Sequence, residues 1–168
     1  MGRARRKKRT TQLALVCGEL AAARAHYVLF GAAAMQLWGT TRATRDIDIL
    51  IEPTVANARR VLSALSELGF GFARELSAED LASRPVTIIG DVPNVDVLTR
   101  AWNVTFADAH AAAVIFDLEG VKIPTASIDH LIESKRTGRL QDAADIEVLE
   151  EIRRLRSGES IEPQRGRE

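Results

Sequence analysis

The stretch Arg45-Asp46-Ile47-Asp48-Ile49-Leu50-Ile51 decides how this chain is read. Acidic and aliphatic residues alternate from Asp46, which predicts a strand over 46–52 with two chemically different faces. Ile47, Ile49 and Ile51 point into a core, while Asp46 and Asp48 project together from the opposite face. Two carboxylates so placed repel one another and raise each other's pKa unless something neutralises them.

Upstream, the β-prone run Tyr27-Val28-Leu29-Phe30 ends at Gly31, and Ala32 to Trp38 returns to helix-forming residues. A helix that opens on a glycine turn offers free backbone N–H groups, which hold phosphate well. Gly39-Thr40-Thr41 ends that helix. A basic loop follows, in which Arg42 and Arg45 flank the acids and are suited to contacting phosphate or pinning the loop. Ahead of all this, Leu13, Val16, Leu20 and Ala23 recur at helical spacing.

Downstream, Pro53-Thr54 opens a helix over 55–68, with Val55, Ala58, Leu62 and Leu65 on its buried stripe and Gly69 as its stop. Pro85 to Ile89 and Val95 to Leu98 read as strands joined by a turn over 90–94. Asp96 lies mid-strand between aliphatics, where a merely solvated acid is not expected. Residues 107–113 fit no single pattern. Val114-Ile115-Phe116 and Val121-Lys122-Ile123-Pro124 form a late hairpin, followed by helices from Ser127 to Lys135 and from Gln141 to Leu155. The fold class is therefore α/β in the α+β sense: a small mixed sheet flanked by helices, with helices at the C-terminal end.

At 168 residues, 46% hydrophobic and 27% charged, the chain suits one domain. We expect that domain over 11–156, between a basic disordered arm over 1–10 and a polar disordered tail over 157–168. Formal charge is zero, so whole-molecule electrostatics favours neither nucleic acid nor membrane. The segment Arg3-Ala4-Arg5-Arg6-Lys7-Lys8-Arg9 reads as a solvated arm or as an RNA-binding one, since its cations neutralise phosphates. Cys17 is the single cysteine, which excludes an intramolecular disulfide and suits a reducing cytoplasm. The apolar stretch that contains it, from Leu13 to Ala23, is interrupted by Glu19, is followed by Arg24 and is too short to span a bilayer, so a cytoplasmic protein without a membrane partner is expected.

An isolated Asp-x-Asp is also what a half-exposed strand shows. The glycine turn, the two arginines and Asp96 move the reading toward chemistry. Magnesium is the natural neutraliser of such acids, because it takes hard oxygen ligands and readily adds phosphate oxygens. Two such ions about 3.5–4 Å apart activate an attacking hydroxyl and stabilise a leaving pyrophosphate. His26, His110 and His130 show no metal-ligand spacing. Trp38 and Trp102 read as core or rim aromatics, with base stacking by Trp102 as the sharper alternative.

These residues resemble the nucleotidyltransferase fold of the DNA polymerase beta superfamily, whose signature is a strand ending in Gly-Gly or Gly-Ser, a helix, Asp-x-Asp and a third acid on a later strand. The element Arg42-Ala43-Thr44-Arg45-Asp46-Ile47-Asp48 is similar to that of the bacterial abortive-infection (AbiEii-type) toxin nucleotidyltransferases. The likeness runs from Tyr27 to Leu98 and continues weakly through Lys135 and Arg139 to Asp142 and Asp145. It implies that Asp46, Asp48 and Asp96 hold two Mg2+ ions, with Asp96 serving or assisting as base. Gly31 and Ala32 then meet the β- and γ-phosphates, Lys135 meets the triphosphate, and Asp142 with Asp145 orients Lys135, Arg139 or the base. The implied activity transfers NMP from an NTP to a hydroxyl acceptor, RNA or tRNA included. Where the family has a second Gly or Ser this chain has Ala32, which loses a hydroxyl contact. The alternative is thus a weakened member of a toxin–antitoxin system that binds a nucleotide or a partner protein, such as a cognate antitoxin. Bland readings stand beside these roles: Lys135 and Arg139 as a solvated helix face, and Asp142 as a favourable charge in a first helical turn.

Overall fold

A computed structural model describes residues 10–90 and 93–158. The basic segment over 3–9 and the tail beyond 158 lie outside the described residues, so the expectations for them are not addressed. The last helix continues to Ser157, two residues beyond the expected Leu155, and stops at Gly158, whose φ is +73°.

Local chemistry sets most boundaries. Thr11 accepts a hydrogen bond from the Ala14 N–H and starts helix α1 (Gln12–Ala22). Strand β1 (Tyr27–Phe30) runs straight into α2 (Gly31–Trp38), and β2 (Ile47–Ile51) follows the basic loop. Thr54 caps α3 (Val55–Glu67). A 3-10 turn (Gly71–Arg74) and α4 (Ala78–Ser83), capped by Ser77, lead to the hairpin β3 (Val86–Ile89) and β4 (Val95–Leu98). Next come a second, minimal hairpin of β5 (Arg100–Ala101) and β6 (Val104–Thr105), and then α5 (Phe106–Ala111). The expected late hairpin is β7 (Val114–Leu118) with β8 (Val121–Thr125); α6 (Ile128–Ser134), capped by Ser127, and α7 (Leu140–Ser157) complete the chain.

Six strands form one mixed sheet in the order β3-β4-β2-β1-β8-β7. β2 lies antiparallel to β1 and parallel to β4, and β1 meets β8 in parallel. This is the small mixed sheet with surrounding helices that the alternation of patterns predicts. One face is closed: Ile47, Ile49 and Ile51 on β2, Val95 and Val97 on β4, and Ile89 on β3 are all buried. The other face is not uniformly open, as strict alternation on β2 would have it, because Leu50 is also fully buried. It opens at Asp48 and Asp96, which are half-buried, and further along at the exposed Val86 and Ile88. Asp46 corrects the strand boundary. It is exposed and stands just before the first ladder residue, Ile47, rather than within the strand.

The 3-10 turn, α4, α5 and the β5–β6 hairpin escape the sequence reading. Each is too short for a period to register. Among the described residues no helix is long and apolar enough to cross a membrane.

One buried polar side chain holds the base of this layout. Asn57 is 1% exposed on α3. Its Oδ1 accepts the His26 N–H at 2.7 Å, and its Nδ2 donates to the carbonyls of His26 at 2.9 Å and Glu52 at 3.0 Å. The side chain thus ties α3 to the start of β1 and the end of β2, and satisfies three backbone groups. Asn57→Ala orphans all three and is expected to lower unfolding free energy by about 2–4 kcal/mol, read as a fall in the urea midpoint at unchanged slope.

Candidate active site

The site is assembled by strand register. Asp48 and Asp96 are direct partners across the parallel pair β2–β4, so their side chains stand on the same face of adjacent strands. Across the antiparallel pair on the other side, Asp48 faces Phe30, and Gly31 follows. Gly31 has φ +66°, and a Cβ there would lie 1.8 Å from Asp48 Oδ2. A hydrogen is all that fits between the start of α2 and the Asp48 carboxylate. Phe30, at the N-cap position of α2, provides no capping side chain, so the first-turn N–H groups of Gly31 and Ala32 lack a side-chain acceptor. Ala32 is 8% exposed, tucked under this turn.

A cleft of about 260 Å³ opens beside Asp48 and Gly31. Lys135, Thr137, Arg139 and Asp142 from the α6–α7 region line it, as do Val86, Leu98, Arg100 and Trp102 from β3 to the β5–β6 turn. Asp96 stands next to it on the neighbouring strand. A larger hollow of about 940 Å³ lies elsewhere, between α1, the segment after α3 and the end of β3. Among the described residues that line it none is ionisable.

Charge in the cleft alternates. Lys135 Nζ donates to Asp145 Oδ2 at 2.9 Å and lies 3.5 Å from Asp142 Oδ1. Arg42 Nη1 reaches both Asp145 oxygens at 2.8 and 2.9 Å. Asp142 accepts from Arg139 Nε at 2.7 Å and from the Thr137 hydroxyl. Burial raises the pKa of both these aspartates, but the hydrogen bonds and the Lys135 charge outweigh it and hold both carboxyls below their ordinary range. Asp48 goes the other way. Burial, then the neighbouring charge of Asp96 and that of Asp46, push it up to about 6, against a smaller opposing pull from Lys135. Burial also raises Asp96, with Asp46 adding to the rise and a hydrogen bond with Asp48 opposing it.

The structure therefore brings together Gly31, Asp48, Asp96, Lys135, Arg139 and Asp142, with Asp46 near enough to act on both carboxyls, whereas Ala32 follows Gly31 in the turn and does not line the cleft. Two expected ligand contacts fall differently. Arg42 pins the loop to α7 through Asp145, which is one of the two roles its position allowed. Arg45 faces a separate pocket of about 260 Å³ shared with Thr44, Gln36 and Asp46, outside the cleft. Asp142 is both a first-turn acid of α7 and an ion-pair partner, so its two readings coexist. Arg100 and Thr137 are cleft residues that sequence reading missed. Nothing in their local pattern marks them, since Arg100 opens a two-residue strand and Thr137 sits in a short loop, and only the tertiary fold brings both to Asp48.

Among the described residues, no three acidic, histidine or cysteine side chains already enclose a common metal position. The donors present are nonetheless of the hard oxygen type, paired, and destabilised as anions. No family model and no curated protein matches the chain.

Because the folded pKa of Asp48 lies above its ordinary 3.8, the folded state keeps a proton over roughly pH 4–6 that the unfolded chain has lost. Stability must then fall as pH rises through that window, and the full penalty stands above it. In metal-free buffer Asp48→Asn is expected to stabilise the protein by on the order of 2–3 kcal/mol at pH 7.5 and to give no gain below pH 4, as read from urea denaturation at the two pH values. Gly31→Ala is expected to destabilise by about 2 kcal/mol or more, from the left-handed backbone and the displaced carboxylate together, visible as a lowered thermal midpoint.

Proposed function

We propose that this protein is a metal-dependent nucleotidyltransferase that moves NMP from an NTP to a hydroxyl acceptor, with RNA such as tRNA as the acceptor class. The observation that carries this reading is the parallel pairing of Asp48 with Asp96 against a glycine turn that tolerates no side chain. A structural pair of surface acids needs neither the register nor the glycine.

Asp48 and Asp96, with Asp46 beside them, are the residues that would hold Mg2+. When bound, two such ions neutralise the pair, help to ionise the acceptor hydroxyl and offset charge on the leaving pyrophosphate. The remaining work falls to the chain itself. The uncapped first turn of α2 offers the Gly31 and Ala32 N–H groups to phosphate oxygens, aided by the helix dipole. Lys135 stands on the opposing wall, fixed by Asp145 and Asp142, so its charge meets the triphosphate without a search through rotamers. Arg139 and Arg100 add positive charge along the cleft. Asp96, raised in pKa and more open than Asp48, takes up the proton of the acceptor hydroxyl as the new O–P bond forms and pyrophosphate departs. Asp145 acts through Lys135 and Arg42, as a positioning residue. Such a reaction draws on NTP pools, in keeping with a cytoplasmic protein that carries one buried free thiol.

A second reading is favoured by Ala32, whose methyl group gives the phosphate turn no hydroxyl. In it the same cleft binds a nucleotide, or a partner such as an antitoxin, without turnover. Incubation with Mg2+, each labelled NTP and total RNA separates the two. Transfer of label with release of pyrophosphate is expected, and Asp48→Ala and Asp96→Ala should each lower the rate by roughly a thousandfold or more. No transfer and no pyrophosphate with any NTP would overturn the enzyme reading.

A further inference from the structure

Trp102 is the one exposed aromatic on the cleft, at 53% exposure, since Phe30 is buried at 2%. It belongs to no part of the hydrophobic core, although a tryptophan gains more than any other residue from burial. Its backbone is left-handed, with φ +56°, a region that residues bearing a side chain rarely adopt. The surrounding hairpin enforces that conformation. Arg100 Nε donates to the Trp102 carbonyl at 3.1 Å, and Asn103 Nδ2 ties the tip to Glu133 on α6 at 3.4 Å. Ala101 and Val104, buried on either side of the turn, anchor its base. A strained, braced turn thus holds a large apolar ring in water, on the same cleft as Gly31, Asp48 and Lys135.

We propose that Trp102 is the stacking platform for the nucleobase of the bound nucleotide, and that it sets a preference for purines. This rests on the nucleotide reading of the cleft. With the indole face against the flat base, the phosphates are left to Gly31 and Lys135 on the same cleft. Stacking alone reads no hydrogen-bond pattern, so discrimination follows ring area, and a purine covers more of the indole than a pyrimidine does.

Calorimetry on the full chain tests this with three probes: a non-hydrolysable ATP analogue, the matching UTP analogue and inorganic tripolyphosphate. Wild type is expected to bind the ATP analogue more tightly than the UTP analogue. Trp102→Ala should weaken the ATP analogue by about tenfold or more while leaving tripolyphosphate unchanged. Trp102→Phe should stay within about threefold of wild type, because it keeps an aromatic face. An ATP analogue bound equally by wild type and Trp102→Ala overturns the proposal, as does an equal loss of tripolyphosphate in that variant. Tripolyphosphate bound by wild type without any gain from the base overturns stacking and leaves the phosphate site standing. Failure of wild type to bind all three probes overturns the nucleotide reading, and the stacking role with it.

Discussion

Like charges held at strand spacing are the constraint around which this molecule is arranged. The parallel ladder between β2 and β4 fixes Asp48 opposite Asp96, and Ile47, Ile49, Val95 and Val97 on the reverse side lock that register into the core. A slip of one residue would turn one strand over, burying its acid and exposing its aliphatic row, so the register has no cheap alternative. With the pair fixed, the groups around it follow as compensation. Gly31 yields space to one carboxylate, and Lys135 brings a positive charge toward it. Asp145 and Asp142 hold that lysine, and Arg42 in turn balances Asp145.

That alternation of sign stabilises the folded state less than its short distances suggest. The side chains of Asp142 and Asp145 are each 5% exposed and that of Lys135 is 15% exposed, so desolvation offsets much of their mutual attraction. What the network supplies is position. The loop carrying Arg42 and the N-terminal turn of α7 are fastened to one carboxylate, although Arg42 and Asp145 are far apart in the chain. The cleft thus has one wall built on strands and another built on an ion network.

The strand wall was legible in the sequence and the ionic wall only in part. Alternation around Asp48 and the apolar frame of Asp96 are period-two signals, and hydrophobic burial enforces them directly. Capping residues such as Thr54 and Ser127 are equally local, so the starts of α3 and α6 were readable to within a residue, whereas α4 and α5, capped by Ser77 and Thr105, are too short to be recognised. The pairing of Arg42 with Asp145 is different in kind. It depends on how the sheet closes, and no local spacing encodes which of several arginines reaches which acid. Asn57 illustrates the same limit: in the sequence it is a polar residue in the first turn of a helix, and only its burial shows that it serves three backbone groups. Trp102 could be read only as an aromatic of two possible uses, because a hairpin with two residues per strand leaves no periodic trace.

The seam between β1 and β8 has a consequence for connectivity. It is a parallel join through Leu29 and Thr125, about a hundred positions apart in the chain, the longest loop that any strand pair of this sheet closes. β1, β2 and the β3–β4 hairpin are nearer neighbours in sequence and pair across shorter loops. The two acids are thus joined through a shorter loop than the one that brings Lys135, which lies beyond β8 in the chain, to act on Asp48.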